Sequence, residues 1–482
     1  MSATPNAEAF CQPHGTELDN FERRQCSESA IHQIKDIHSI AVQEYERNNP
    51  ISQSLHQEAI EVLPGGNTRS VLHAEPFPIC MERGEGNRLV DVDKHGYLDL
   101  VGEMTAGLYG HSHHQIRDAI ISTITQTGLN LGATTSMEAH FAKEIRRRFP
   151  SMEQMRFCNS GTEANLYALS IARYATGLSK IIVFRGGYHG GVLSFIHGIA
   201  DNNVDRDDWI LGTYNDAEGA QKLIFDHKGI AAAVLVEGMQ GAGGCIPAAA
   251  NFLLAIQNAT RAHGMLFILD EVMTSRLAPG GIQSTILDPN GSQALKPDIT
   301  ALGKWLAGGM SIGCFGGRKE LMSVYDPRHS TVSDAPTQKT HISHSGTFNN
   351  NSLAMNVGFV SLSSIYTTQA CIDLNAMGEW FRQELIKRCS RTKMSVTGMG
   401  SVCNVHFTSY EGKITCVEDL EVGETETESM LRDIFWFFAI RKGYWIARRG
   451  MLSLIIGTSR EELQSFLNMV EEFVQKFGHL IK

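Results

Sequence analysis

The chain of 482 residues has no CxxC pair among its ten cysteines, no apolar run of 18 residues, and no basic start leading into an apolar leader core. The first absence removes the common zinc and thioredoxin-like spacings, the second a membrane-spanning helix, and the third a secretory signal. Scattered thiols fit a reduced, intracellular setting, so a cytoplasmic location is the expectation. Positive charge is in deficit: 42 Lys and Arg stand against 52 Asp and Glu, a net charge of −10. Nucleic acids and anionic membranes are held by clustered Lys and Arg, so neither is an expected partner. The densest basic run, Arg146 to Arg148, reads as the solvent face of a helix. No internal repeat is present, and Gly241, Gly243 and Gly244 do not make a dinucleotide-binding GxGxxG. His111, His113 and His114 lack the i, i+4 spacing of helical metal ligands, with no Cys or carboxylate to complete a set, and read as a loop at a site mouth.

What is present is ordinary for a globular protein: 42% hydrophobic and 20% charged residues, in a chain longer than one core accommodates. Residues 1–50 are polar and read as an N-terminal extension with at most one helix, over 31–47. Residues 51–115 carry a Gly-rich loop at 64–71 and a hairpin, strands 89–92 and 97–101, and are expected to join a small domain and dimer contacts. Helical periodicity covers 116–125 and 138–149, the latter stopped by Pro150. Within 116–364, apolar runs at 155–158, 181–184, 232–236, 265–269 and 312–315 alternate with helices. That pattern predicts an α/β large domain with a mostly parallel sheet covered on both faces. Residues 326–345 read as a long loop. From 365 to 482, helices at 371–389, 425–442 and 460–477 and strands at 401–407 and 451–456 predict a smaller α+β domain. The acid-rich stretch 411–428 reads as solvated.

The chemistry is concentrated where apolar runs end. The run from Met265 to Leu269 delivers Asp270 to the edge on which doubly wound sheets bind ligands. The run from Ile299 to Leu302 ends in Gly303 and Lys304, and a buried ammonium is costly unless it is paired or loses its proton. A lysine so placed can form an imine with pyridoxal 5′-phosphate (PLP), and a carboxylate can keep the pyridine nitrogen protonated. Read alone, the two residues favour the plainer account, a strand-end Asp that is solvated or caps a helix and a Lys lying on the surface. The motif Asn159, Ser160, Gly161, Thr162, Glu163 and Ala164 follows a strand and opens a helix, offering free N–H groups to a phosphate or simply capping that helix. Cys158 beside it reads as a small core residue. In GGYHGG, glycines flank Tyr188, whose ring can stack on a flat ligand or pack in its loop. A third element, SGTFNNN from Ser345 to Asn351, adds a hydroxyl and amides.

Taken in order, NSGTEA, GGYHGG, LDEVMTSR, ALGKWLAGG and SGTFNNN resemble the class III aminotransferases of PLP fold type I. The likeness runs from about Val62 to the C-terminus. It is nearest to the branch holding glutamate-1-semialdehyde aminomutase and, closer still, the bacterial β-phenylalanine aminotransferases. The resemblance implies a large domain with a seven-stranded type of sheet, Lys304 as the imine-forming lysine, and Asp270 as partner of the pyridinium nitrogen. It further implies that Ser160, Gly161 and Thr162 hold the phosphate and that Tyr188 stacks on the ring. Glu237 in VEGMQG would lie near the cofactor's hydroxyl side, with Gly238 where the family has proline, and Gln240 is a candidate in the same loop. Thr347 would reach the phosphate of a neighbouring subunit, which implies a homodimer with shared sites. Arg69 resembles the family arginine on the donor carboxylate, and Arg449 a second arginine for the acceptor; Arg448 departs from the pattern. The expected reaction moves an amino group from a β-amino acid to a 2-oxo acid such as 2-oxoglutarate or pyruvate. An aminomutase, or a cofactor-binding regulatory protein without turnover, is the alternative.

Overall fold

Every residue of the run Ala231–Glu237 is buried, as a parallel strand covered on both faces requires. The computed structural model describes residues 30–329 and 341–481. Residues 1–29 of the expected extension and 330–340 of the expected loop lie outside the described residues.

In chain order the strands are β1 (Met81–Glu85), β2 (Arg88–Asp91), β3 (Gly96–Asp99), β4 (Gln154–Cys158), β5 (Lys180–Phe184), β6 (Trp209–Gly212), β7 (Ala231–Glu237), β8 (Leu266–Asp270), β9 (Ile299–Gly303), β10 (Gly313–Gly317), β11 (Met394–Met399), β12 (Val402–Phe407), β13 (Tyr444–Trp445) and β14 (Met451–Ser453). The large sheet has seven strands in the order β4-β10-β9-β8-β7-β5-β6. Neighbours are parallel except at β10, which runs antiparallel to both β9 and β4. The cause is the short connection: only residues 304–312 separate β9 from β10, and a parallel return takes a crossover of about a dozen residues or more. The C-terminal ends of the parallel strands therefore share one edge, and the N-terminal end of β10 meets them there. This edge of a mostly parallel α/β sheet is where the site loops gather.

The N-terminal hairpin is tied to the C-terminal lobe. β1, β2 and β3 are joined by β13, which pairs in parallel with β3, and β11, β12 and β14 make a second sheet beside them. Helix Ala30–Asn48 lies on helix Glu426–Arg441, with Tyr45 packed against Phe77, Trp436 and Phe437 and its hydroxyl donating to the Phe77 carbonyl at 2.7 Å.

Two sequence expectations are corrected. Arg148 is not on a solvent face: it is buried, donates to the Pro279 and Tyr366 carbonyls at 2.8 and 2.7 Å, and lies 5.4 Å from the ring centres of Trp305 and Tyr366. The planar guanidinium of arginine tolerates this because it stacks on rings while donating in its plane. The acid-rich stretch is also not simply solvated. Glu418 and Glu421, on helix Val417–Gly423, pair with Arg185, and Glu428 is 2% exposed, bonded to Ser409, Thr425 and Lys393. Strands β1, β6, β11 and β13 have no counterpart in the sequence reading; β1, with the sequence MERGE, lacks an apolar pattern.

Candidate active site

The strand ends bring five motif loops together. β4 runs into helix Gly161–Thr176, whose cap is the Ser160 hydroxyl, accepting the Glu163 amide at 3.1 Å. Among the described residues, the Gly161 and Thr162 amides ahead of it have no acceptor, so two N–H groups and the positive helix end face outward. The Glu163 carboxylate accepts the Asn159 amide at 2.9 Å and fixes the turn from below. Close approach demands glycine on β10: a Cβ on Gly313 would meet the Ser160 carbonyl oxygen at 2.0 Å. Gly190 does the same for the next loop, where at φ 140° a Cβ would meet Thr162 Oγ1 at 2.3 Å.

Asp270 closes β8 and is 4% exposed. Its Oδ2 accepts His189 Nδ1 at 2.7 Å and Asn165 Nδ2 at 2.8 Å, and its Oδ1 accepts the Val272 amide at 2.9 Å. Burial alone would raise this carboxyl's pKa. The His189 bond and charge, the Val272 amide and the Lys304 charge outweigh it and hold the group ionised, below its ordinary value. Lys304 follows Gly303 at the end of β9, with its own backbone left-handed at φ 53°. That conformation is uncommon without glycine and is sustained by what comes next, since fully buried Trp305 donates to Ser275 Oγ at 2.9 Å and is covered by Arg148. Burial lowers the Lys304 pKa; the charges of Asp270 and Glu237 oppose that, and those of Arg449 and Arg69 add to it.

Glu237, at the end of β7, accepts the Tyr188 amide at 2.9 Å and the Gly241 amide at 3.2 Å. Burial pushes its carboxyl up to about 7. The turn is in order with glycine at 238, where a Cβ would press on Ile282 at 3.0 Å. Tyr188 stands on a two-residue hairpin arm and is 41% exposed. Gln240 is a brace: it is buried and donates to the Arg185 carbonyl at 2.8 Å. Thr347 is exposed, while Asn349, two residues on, accepts Asn159 Nδ2 at 2.9 Å and seats the SGTFNNN loop beside the phosphate turn.

The two arginines come from opposite ends of the chain. Arg69 donates through Nη1 to Glu103. Arg449 is half-buried beside β14; among the described residues its Nη2 meets only the Met451 sulfur at 3.3 Å and its buried Nε has no partner. His111 bonds to Asp99 at 2.9 Å, and the rings of His113 and His114 stack at 4.9 Å. Among the described residues no group of three or more His, Cys, Asp or Glu is arranged to hold a metal. Cys158 is buried, and burial raises its thiol pKa.

Sequence reasoning gave no role to His189 and Asn165. Their signal was weak: an imidazole between two glycine pairs, and an amide immediately after the NSGTEA motif. Together these residues fit PLP: an amine with a lowered pKa, an ionised buried carboxylate braced by an imidazole, and free helix N–H groups along one sheet edge. The class so defined is a PLP-dependent enzyme of fold type I.

Comparison with known proteins narrows this. The family model described as Aminotransferase class-III matches residues 70–423, and the chain belongs to that family. It is 45% identical over 434 residues to an uncharacterized aminotransferase of Schizosaccharomyces pombe, covering 90% of this chain and 94% of that one. It is 40% identical over 435 residues to the β-phenylalanine transaminase of Variovorax paradoxus, with coverage of 90% and 94%. The crystal structure of a β-phenylalanine aminotransferase from the same organism superposes with a TM-score of 0.86 at 39% identity, covering 93% of this chain and 99% of that one. A transaminase solved with PLP bound superposes at 0.77 with 26% identity, covering 90% and 98%. The protein is thus a PLP-dependent class III aminotransferase related to β-phenylalanine aminotransferase.

Proposed function

We propose that this enzyme takes the amino group of a β-amino acid and passes it to a 2-oxo acid, 2-oxoglutarate or pyruvate. The observation that carries the reading is the pair of guanidinium groups whose charges both reach Lys304 from outside the cofactor loops, with Arg449 lacking a carboxylate partner among the described residues. A guanidinium is the side chain best shaped for a carboxylate, and a donor and an acceptor each bring one. When bound, PLP supplies the electron sink for the carbanion. Asp270 would keep a proton on the ring nitrogen, Ser160, Gly161 and Thr162 would hold the phosphate, and Tyr188 would cover the ring. Lys304 Nζ would carry the proton to and from the reacting carbon, a role its burial-lowered pKa suits.

The reading extends to a homodimer with shared sites. Ile121, Ile124, Leu129 and Leu131 are exposed together around a short helix end, and Phe348 beside Thr347 is 58% exposed. Apolar exposure of this extent supports burial against a second copy, from which Thr347 would reach the neighbouring phosphate.

A panel of aromatic and aliphatic β-amino acids tests the function, read by loss of the bound cofactor's absorbance band and release of the oxo product. Arg69→Ala is expected to raise KM for carboxylated donors by about 10- to 100-fold, the loss of a charge-assisted bond, and to leave simple amines unaffected. Failure of every β-amino acid to discharge the band would end the proposal.

A further inference from the structure

Glu103 is the carboxylate bonded to Arg69, and its backbone is unusual. Gly102, Glu103, Met104 and Thr105 have φ of 51°, 48°, 51° and 78°, four left-handed residues in succession, three of them not glycine. Such strain persists only where the surroundings over-determine it. Here Asp99 Oδ1 accepts the Val101 and Gly102 amides at 2.7 and 3.0 Å, and His111 braces Asp99 Oδ2 at 2.9 Å. At the other end, fully buried Arg276 donates to the Thr105 carbonyl at 3.2 Å and to Ser453 Oγ at 3.0 Å. Glu103 is thus fixed from both sides, while its side chain and that of Arg69 remain 57% and 43% exposed.

A surface pair of this kind adds little to stability, so a strained turn is a poor device for making one. Its geometry suggests another purpose. Only Nη1 of Arg69 is engaged; the Nε and Nη2 edge bonds to nothing among the described residues. That edge is one of the two faces through which a guanidinium grips a carboxylate with two parallel bonds.

We propose that Glu103 is a positioning residue, holding Arg69 by Nη1 so that its Nε and Nη2 edge receives the donor carboxylate. The inference rests on the assignment of Arg69 above. It differs from a masking role, in which Glu103 would occupy the fork and have to be displaced; masking predicts that removing Glu103 tightens binding, positioning that it loosens it.

The test uses the holoenzyme with 3-amino-3-phenylpropanoate and with 1-phenylethylamine, which lacks the carboxylate. Glu103→Gly deletes the carboxylate while suiting the left-handed backbone, and Glu103→Gln keeps an acceptor oxygen in place. For Glu103→Gly we expect KM for the acid to rise about tenfold, the loss of one charge-assisted bond, with kcat and the amine kinetics near wild type. Glu103→Gln should recover most of the loss. A fall in KM for the acid, equal changes for acid and amine, or no recovery by glutamine would overturn the inference. Arg69→Ala separates the two levels: unchanged KM for the acid in that variant refutes the carboxylate-binding assignment itself, whereas raised KM there with unchanged KM in Glu103→Gly refutes positioning alone.

Discussion

His189 Nδ1 lies 2.7 Å from Asp270 Oδ2, and both side chains are almost wholly buried. The imidazole thereby does for the carboxylate what water does at a surface, keeping it ionised where burial would neutralise it. Losing one charge-assisted bond costs roughly 1.5–3 kcal/mol, so His189→Ala should slow turnover about 10- to 100-fold while keeping the cofactor. Asp270→Asn should lose more, about 10²- to 10³-fold, because it removes the charge and not merely its support. Rates measured on both holoenzymes check this order; a histidine variant as slow as the asparagine variant would mean the imidazole acts directly.

Lys304 carries the second prediction. Borohydride treatment of the wild type should fix the vitamin onto the peptide containing residue 304, and Lys304→Ala should lose both that label and turnover. An unchanged cofactor absorbance band in Lys304→Ala would displace the lysine from its role.

The chain displayed these two residues openly, since each closes an apolar run and such runs become covered strands. Other parts were opaque for physical reasons. β1 is paired through its backbone with few apolar side chains, so periodicity did not mark it. Arg148 looked like one of three helix-face cations, and only the three-dimensional placement of Trp305 and Tyr366 shows why one of the three turns inward. Asn165 was invisible because a helix position says nothing of which strand end it will face. The left-handed run from Gly102 to Thr105 could not be read from GEMT, whose last three residues disfavour that backbone.

Glu237 gives a pH prediction. Its carboxyl is raised to about 7, so below that value it is neutral, and above it a second negative charge appears beside Asp270 and Lys304. The new charge favours the ammonium form of Lys304, so the rate of amine exchange should show an inflection near neutrality. Glu237→Gln, uncharged throughout, should lack that inflection in log kcat/KM against pH. For stability the sign is the reverse of the usual acid: a folded-state pKa above the unfolded one contributes at low pH and is lost as pH rises from about 4.5 to 7. The glutamine variant should therefore match the wild type at pH 4 and exceed it at pH 8. Identical profiles for both proteins would assign the inflection elsewhere.

Glu428 makes the opposite case within the same chain. It accepts Ser409 Oγ at 2.6 Å, the Thr425 hydroxyl, and Lys393 Nζ at 3.3 Å. Burial would raise its pKa, but the Ser409, Thr425 and Lys393 bonds prevail and bring it down to about 2. A depressed folded-state pKa contributes stability that is complete above about 4.5 and disappears as pH falls toward 2. Glu428→Gln keeps the shape and loses the charge, so it should cost about 2 kcal/mol at pH 7, the worth of bonds to a charged acceptor. Urea unfolding of both holoenzymes at pH 7, 5 and 3 measures the difference, which should shrink steadily below pH 4.5. A gap that stays constant with pH would show that packing at this position, and not ionisation, holds helix Glu426–Arg441 to the loop at Ser409.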